Sequence, residues 1–60
     1  MNEYRVFLKS KESWIKLNKP NMLAYDVFAF DEIKARIQAV KLNEKELGEN
    51  DYCVTKVVKL

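Results

Sequence analysis

The chain of 60 residues contains no histidine, and this absence narrows the chemistry that it can perform. Histidine is the side chain most often used as a general base near neutral pH, and it is the commonest metal ligand. Cysteine is scarce as well, because Cys53 is the only one. It cannot form an intramolecular disulfide, and structural zinc usually requires four cysteine or histidine ligands. We therefore expect a protein without a metal site or another cofactor.

The sequence also lacks the patterns of catalytic and nucleotide-binding sites. Its single glycine excludes a glycine-rich phosphate loop. Asp31 and Glu32 suit the start of a helix, and the acidic segment 49–51 has too few ligand positions for an EF-hand loop. No set of side chains stands out that could share a catalytic step. We expect that the protein is not an enzyme.

Neither sign of charge dominates the sequence. Eleven lysine and arginine residues stand against nine aspartate and glutamate residues, which leaves a net charge of +2 at pH 7. Such a balance excludes an acidic mimic of nucleic acid and a strongly basic nucleic-acid coat. Hydrophobic residues make up 48% of the chain and charged residues 33%, which is typical of a folded domain and not of a disordered tail.

Long apolar runs are absent, and so is a secretory signal. No run approaches the roughly 18 residues that a membrane-spanning helix needs. Residues 1–5 have no basic region followed by an apolar one. An unpaired thiol suits a reducing compartment. We expect a cytoplasmic protein without membrane contact, encoded by a complete small reading frame, and its size favours an origin in a phage or mobile element.

Sixty residues leave room for one domain, residues 1–60, whose core is hard to stabilise. A chain of this length buries only about 60% of the surface that its unfolded form exposes. An intramolecular disulfide and a structural zinc ion are excluded as sources of extra stability. The remaining aids are a very efficient core, homo-oligomerisation or a stabilising partner.

Four segments carry the alternation and the β-branched and aromatic residues that are typical of strands. They are residues 4–9, 13–17, 23–30 and 52–60. The turn before the third segment contains Pro20, whose fixed φ suits that position. Cys53 lies in an apolar run in the last segment, and we expect it to be a buried and inert core residue.

Residues 31–47 have the pattern of an amphipathic helix. Asp31 can cap its N-terminus, and Gly48, the only glycine, follows its last turn. Apolar residues recur at positions i, i+4 and i+7, which is the spacing of a buried helix face. The residues expected to pack on the sheet are Ile33, Ile37 and Val40.

The predicted element order is β-β-β-α-β. It gives an α+β fold in which one mainly antiparallel sheet carries a single helix on one face. The fourth strand is expected to run in the direction of the first and third strands. It is then either a parallel neighbour of the first strand or a frayed edge, and the pattern leaves both arrangements open.

Alternation along the first three strands predicts which side chains lie under the helix and which point away. Charged residues such as Arg5, Lys16 and Asp26 must avoid the core. Residues an even number of positions away in the same strand then also point away from the helix. The residues expected to point inward are Val6, Leu8, Ile15, Leu17, Tyr25, Val27 and Ala29. Each strand then places one large ring on the uncovered face. This predicted binding face contains Phe7, Trp14, Phe28, Arg5 and Lys16.

Exposed aromatic side chains beside arginine are typical of protein–protein interfaces. The favoured function is therefore a non-enzymatic protein-binding module, either a homo-oligomer or a small accessory protein that binds a larger cytoplasmic protein. An alternative is a single-stranded nucleic-acid-binding protein, because rings among basic residues can stack on bases. A third interpretation gives the rings no partner, since cross-strand aromatic pairs stabilise a sheet by themselves.

Overall fold

A computed structural model describes residues 1–10, 22–47 and 52–60. They form strand β1 (Asn2–Ser10), strand β2 (Met22–Ala29), helix α1 (Glu32–Leu47) and strand β3 (Tyr52–Lys59). The three strands make one antiparallel sheet, and α1 packs on one of its faces. The predicted α+β class, with its antiparallel sheet and single helix, is confirmed. The predicted strand 13–17, the turn at Pro20 and the helix stop at Gly48 lie outside the described residues.

The strand order is β2-β1-β3, so the first strand of the chain lies in the middle of the sheet. Both β2 and β3 run antiparallel to β1. The prediction that the last strand would run in the direction of the first is therefore wrong. That prediction counted a strand at 13–17 as one more reversal of the chain. In the structure β2 itself runs opposite to β1, and β3 runs in the same direction as β2.

The pairing of β1 with β3 contains one bulge. Leu8 lies opposite Val54 and Val6 lies opposite Val57, so two steps along β1 correspond to three steps along β3. The extra residue is Thr55, whose hydroxyl donates a hydrogen bond to a β1 carbonyl oxygen at 3.3 Å. A bulge shifts the alternation of side chains by one position. Val54 and Val57 therefore both lie on the face that α1 covers.

The core lies between α1 and the covered face of the sheet. Val6 and Leu8 of the central strand are fully buried, and their predicted inward orientation is confirmed. The same prediction is confirmed for Val27 and Ala29 of β2. Among the described residues, the buried apolar set is Tyr4, Val6, Leu8, Val27, Ala29, Ala35, Ala39 and Tyr52. Removing this surface from water is the main term that stabilises the fold.

Helix α1 begins where its capping signal predicts. The backbone N–H of Lys34 donates a hydrogen bond to Oδ1 of Asp31 at 2.8 Å, which satisfies one of the free N–H groups at the helix start. Glu32 lies in the first turn and Lys45 in the last, and both charges suit the helix dipole. The predicted role of Asp31 is confirmed.

The face that α1 turns to the sheet differs from the prediction. Ala35 and Ala39 are fully buried, whereas Ile33 is 69% exposed and Ile37 is 46% exposed. Val40 is half-buried. The predicted inward stripe is therefore wrong for both isoleucines. The reason is steric, because the sheet already carries large side chains on this face and small alanines let the helix approach it closely.

The second half of α1 meets the sheet through polar groups. Asn43 is buried, and its Nδ2 makes no hydrogen bond to the described residues. The hydroxyl of Tyr25, a half-buried residue of β2, donates a hydrogen bond to Oε1 of Glu46 at 3.0 Å. Burial raises the pKa of the Tyr25 phenol, the Asn43 amide opposes this rise, and Glu46 adds to it. The Tyr25–Glu46 contact joins the helix to β2 along this flank.

Candidate interaction surfaces

The open face of the sheet is the face opposite α1. Its residues are Glu3, Arg5, Phe7 and Lys9 of β1, Met22, Ala24, Asp26 and Phe28 of β2, and Cys53, Lys56 and Val58 of β3. Phe28 and Met22 are each 60% exposed, while Phe7 on the central strand is half-buried. The outward orientation expected for Phe28 is found. No described helix packs on this face, so its apolar side chains are accessible.

Arg5 and Asp26 form a bidentate ion pair on the open face. They lie directly opposite each other, and the Nε and Nη2 atoms of Arg5 donate hydrogen bonds to Oδ1 and Oδ2 of Asp26 at 2.8 and 3.0 Å. The hydrogen bond from Arg5 lowers the pKa of the Asp26 carboxyl, and the same bond raises the pKa of the guanidinium. Both side chains stay partly exposed. The pair fixes the plane of the guanidinium at the surface.

This ion pair separates the two rings of the open face. Phe28 lies opposite Glu3, which is four positions along β1 from Phe7. At about 3.3 Å per residue, the two rings are attached roughly 13 Å apart along the strands. The pair of Arg5 and Asp26 lies midway between them. The open face therefore offers two separate aromatic contacts with a charged pair between them.

Three of the five residues predicted for the binding face share the open face. Arg5, Phe7 and Phe28 lie there, with the spacing given above. Trp14 and Lys16 lie outside the described residues. Met22 was not predicted, because the predicted strand began at residue 23, whereas β2 begins at Met22.

Cys53 also lies on the open face, and the prediction of a buried core thiol is wrong. The residue is exposed, and its thiol donates a weak hydrogen bond to the Lys9 carbonyl oxygen at 3.7 Å. Its neighbours Tyr52 and Val54 lie on the covered face, where Tyr52 is buried. Strict alternation then turns Cys53 outward.

A second surface lies along the edge of the sheet, where a groove separates α1 from β3. The larger part of this β3 groove has a volume of about 590 Å³ and is mainly apolar. The residues that line it are Arg36, Ile37, Val40, Lys41, Glu44, Tyr52, Cys53 and Val54. A smaller part of about 190 Å³ continues toward Glu32 and Val57. Arg36 and Val54 line both parts, so the groove follows the strand edge.

Two other kinds of functional feature, a metal-binding cluster and a membrane-spanning helix, are not found in the described part of the chain. Residues 1–10, 22–47 and 52–60 contain no cluster of histidine, cysteine or acidic side chains placed to hold a metal ion. Within the same ranges, no helix has the length and hydropathy needed to cross a membrane. No protein-family model, curated protein or solved structure matches the chain. Function is therefore inferred from the open face and the β3 groove.

Proposed function

We propose that the protein is a non-enzymatic protein-binding module that binds another protein through the open face of its sheet. The observation that carries this proposal is Phe28, a large aromatic side chain that is 60% exposed on that face. Full burial of such a side chain contributes about 1.5–3 kcal/mol relative to exposure. A partner that covers the ring gains this energy.

Arg5 adds directional polar recognition to the same face. Asp26 holds its guanidinium at two points, so less side-chain freedom is lost when a partner binds. Aromatic residues and arginine are enriched at the energetic centres of protein interfaces. The complementary surface would present two apolar pockets about 13 Å apart, for Phe7 and Phe28, with a hydrogen-bond acceptor between them for Arg5.

The proposal includes a cellular setting. An exposed and unpaired thiol at Cys53 suits the reducing cytoplasm. The proposed role is that of a small accessory factor of a phage or mobile element that binds a larger cytoplasmic protein.

Binding to single-stranded nucleic acid is the second candidate, and one observation favours it. Phe7 on the central strand lies opposite Lys56, and Lys9 follows on the same face. A ring between two lysines can stack on a base while the amines contact phosphates. The carboxylates of Glu3 and Asp26 share this face and repel phosphates. A protein partner is therefore favoured.

The test uses a double variant of the open face, Phe28→Ser with Met22→Ser. The matched control is Leu42→Gln, which changes an exposed apolar residue of α1. Each protein serves as bait in a lysate of the cells that encode it, and bound proteins are quantified by mass spectrometry. We expect the wild type and the control to capture the same protein, and the double variant to bind it at least about 30-fold more weakly.

Thermal unfolding of all three proteins checks that the fold is retained. Equal capture by the double variant would contradict the proposed role of the open face. Binding of labelled oligothymidine that falls by orders of magnitude between low and moderate salt would establish the nucleic-acid candidate instead.

A further inference from the structure

Strand β3 forms the edge of the sheet next to the β3 groove. It pairs with β1 on one side and has no strand neighbour on the other among the residues that the structure describes. An edge strand presents N–H and C=O groups that can pair with another chain. The opposite edge differs, because the hydrogen bond between Tyr25 and Glu46 joins β2 to α1 there. On the β3 side the space between helix and strand is open.

The flank of α1 beside this groove exposes apolar side chains among the charged residues Arg36, Lys41 and Glu44. Ile37 lines the groove, and Ile33 lies one turn before it on the same flank. Phe30, just before the helix, is 73% exposed. Leu42 lies on the opposite flank, toward β2, because successive helix residues are rotated by about 100°. A partner at the β3 edge would cover both the strand and the isoleucine flank.

We propose that the β3 groove binds a second copy of this chain, so that two β3 strands pair antiparallel about a two-fold axis. This pairing joins two three-stranded sheets into one sheet of six strands and brings the isoleucine flanks of the two helices together. The proposal concerns the sheet edge, and Phe7 and Phe28 on the open face stay accessible in the dimer because they lie on β1 and β2.

The bulge at Thr55 permits a register that keeps paired residues on the same face and places Val54 opposite Val57 of the second copy. Residues that oppose each other in antiparallel strands must point to the same face. Val54 paired with Val57 of the second copy meets this condition, since both lie on the covered face. The same register pairs Cys53 with Val58, which both lie on the open face. Without the bulge, residues an odd number of positions apart would point to opposite faces.

This register also matches charges across the axis. Arg36 and Val54 line both parts of the groove, while Glu32 and Val57 line only the smaller part. With Val54 opposite Val57 of the second copy, Arg36 therefore faces Glu32 of the second copy. The two-fold axis repeats the contact and gives two reciprocal ion pairs, the self-complementarity that a symmetric interface requires.

The spacing of the helices suits the side chains between them. Helix α1 contacts both outer strands and so lies above β1. Three strand spacings of about 4.8 Å separate the two β1 strands of the dimer, which sets the helices roughly 14 Å apart. A helix with its side chains is about 10–12 Å across. Large side chains such as Ile33 and Ile37 fill the remaining gap, and alanines in their places would not.

Lys56 limits the affinity of the dimer. It lies beside the axis opposite Thr55 of the second copy, so two lysines approach each other on the open face. Like charges close together across strands are destabilising. Lysine is common on edge strands, where it disfavours pairing with another chain. We therefore expect weak association in the wild type. Lys56→Thr should tighten a dimer of defined mass by about threefold.

The main experiment is a reciprocal charge reversal followed by sedimentation equilibrium from about 10 µM to about 1 mM. The mass of the wild type should rise with concentration from 7.1 kDa toward twice that value. Arg36→Glu and Glu32→Arg, each alone, should weaken association at least about tenfold, because each places like charges opposite each other twice. An equimolar mixture of these two variants should associate again as a heterodimer. Leu42→Gln, on the opposite flank, should associate like the wild type.

Two results would overturn the proposal. One is a wild type that stays monomeric at the highest concentration. The other is a dimer that both charge variants form as tightly as the wild type, or that Leu42→Gln weakens. Circular dichroism checks each fold, and Ile33→Gln provides a second route if a charge variant does not fold. Because Ile33 is exposed in the monomer, this change should leave the monomer folded and weaken the dimer about tenfold.

Discussion

The two sides of helix α1 differ in a way that hydrophobicity alone does not explain. The side against the sheet buries Ala35 and Ala39 completely, while the other side leaves Ile33 and Ile37 in solvent. The larger apolar residues therefore lie outside and the smaller ones inside. Fit to the opposing surface, and not apolar area, decides which face of this helix is buried.

The sheet explains why the small residues are inside. Its covered face contributes Tyr4, Leu8 and Tyr52, which fill the space between the two layers. A helix with isoleucines at the contact would have to lie farther from the strands, since protein interiors are already densely packed. The apolar residues left over on the helix are available for an interface.

Added bulk on the buried side of α1 should have the largest effect on stability. We expect Ala39→Leu to lower the free energy of unfolding by about 1–3 kcal/mol, because the added methyl groups overpack a fully buried position. Gln38→Leu is the control, since residue 38 is exposed, and it should change stability by about 0.5 kcal/mol or less. Urea unfolding followed by circular dichroism measures both. An equal effect of the two changes would show that the alanine side is not packed as described.

Removing bulk from the solvent side should have a smaller effect. A core isoleucine typically costs about 2–5 kcal/mol when replaced by alanine, as the sequence pattern implied for Ile37. Because Ile37 is 46% exposed and alanine favours helix, we expect Ile37→Ala to change monomer stability by about 1 kcal/mol or less. Unfolding must be measured at low protein concentration so that association does not contribute. If the free energy of unfolding fell by about 2–5 kcal/mol instead, Ile37 would have to be packed in the core.

The smallest expected effect concerns the open face, where the exposed ion pair responds to pH. Arg5 holds the pKa of Asp26 below its ordinary value of 3.8. A carboxyl with a lowered pKa in the folded state stabilises the fold above pH 3.8, and this contribution is lost as pH falls through the lowered value. Because both groups are exposed, the change in stability should be slight. NMR titration should give Asp26 a midpoint below 3.8 that returns toward 3.8 in Arg5→Gln.

Local signals in the sequence predict much of this fold. The alternation of β1 placed Val6 and Leu8 inward, and Asp31 marked the start of α1 through its capping side chain. Both signals depend on neighbours close in the chain. The alternation of β2 likewise turned Phe28 outward, because Asp26 in phase with it must avoid the core.

The errors come from properties that only the assembled structure defines. The rotation of α1 depends on the size of side chains on the sheet, and an alanine gives a weak signal for either environment. The direction of β3 depends on how β2 and β3 pair with β1, and these pairings join segments that are distant in the chain. Cys53 stands in an apolar run without a charged neighbour to set its phase, and the bulge at Thr55 shifts the alternation later in the same strand.

The central position of β1 has a consequence for how the chain folds. Its partners on β3 lie more than forty positions away along the sequence, so half of the sheet closes a loop that spans most of the chain. Closing such a loop costs entropy before its contacts compensate, and sheets built from distant pairings fold in roughly milliseconds to seconds. Helix α1 can form locally within about a microsecond. The docking of β3 should therefore limit the folding rate, and substitutions along β1 and β3 should slow refolding more than substitutions on the outer side of the helix.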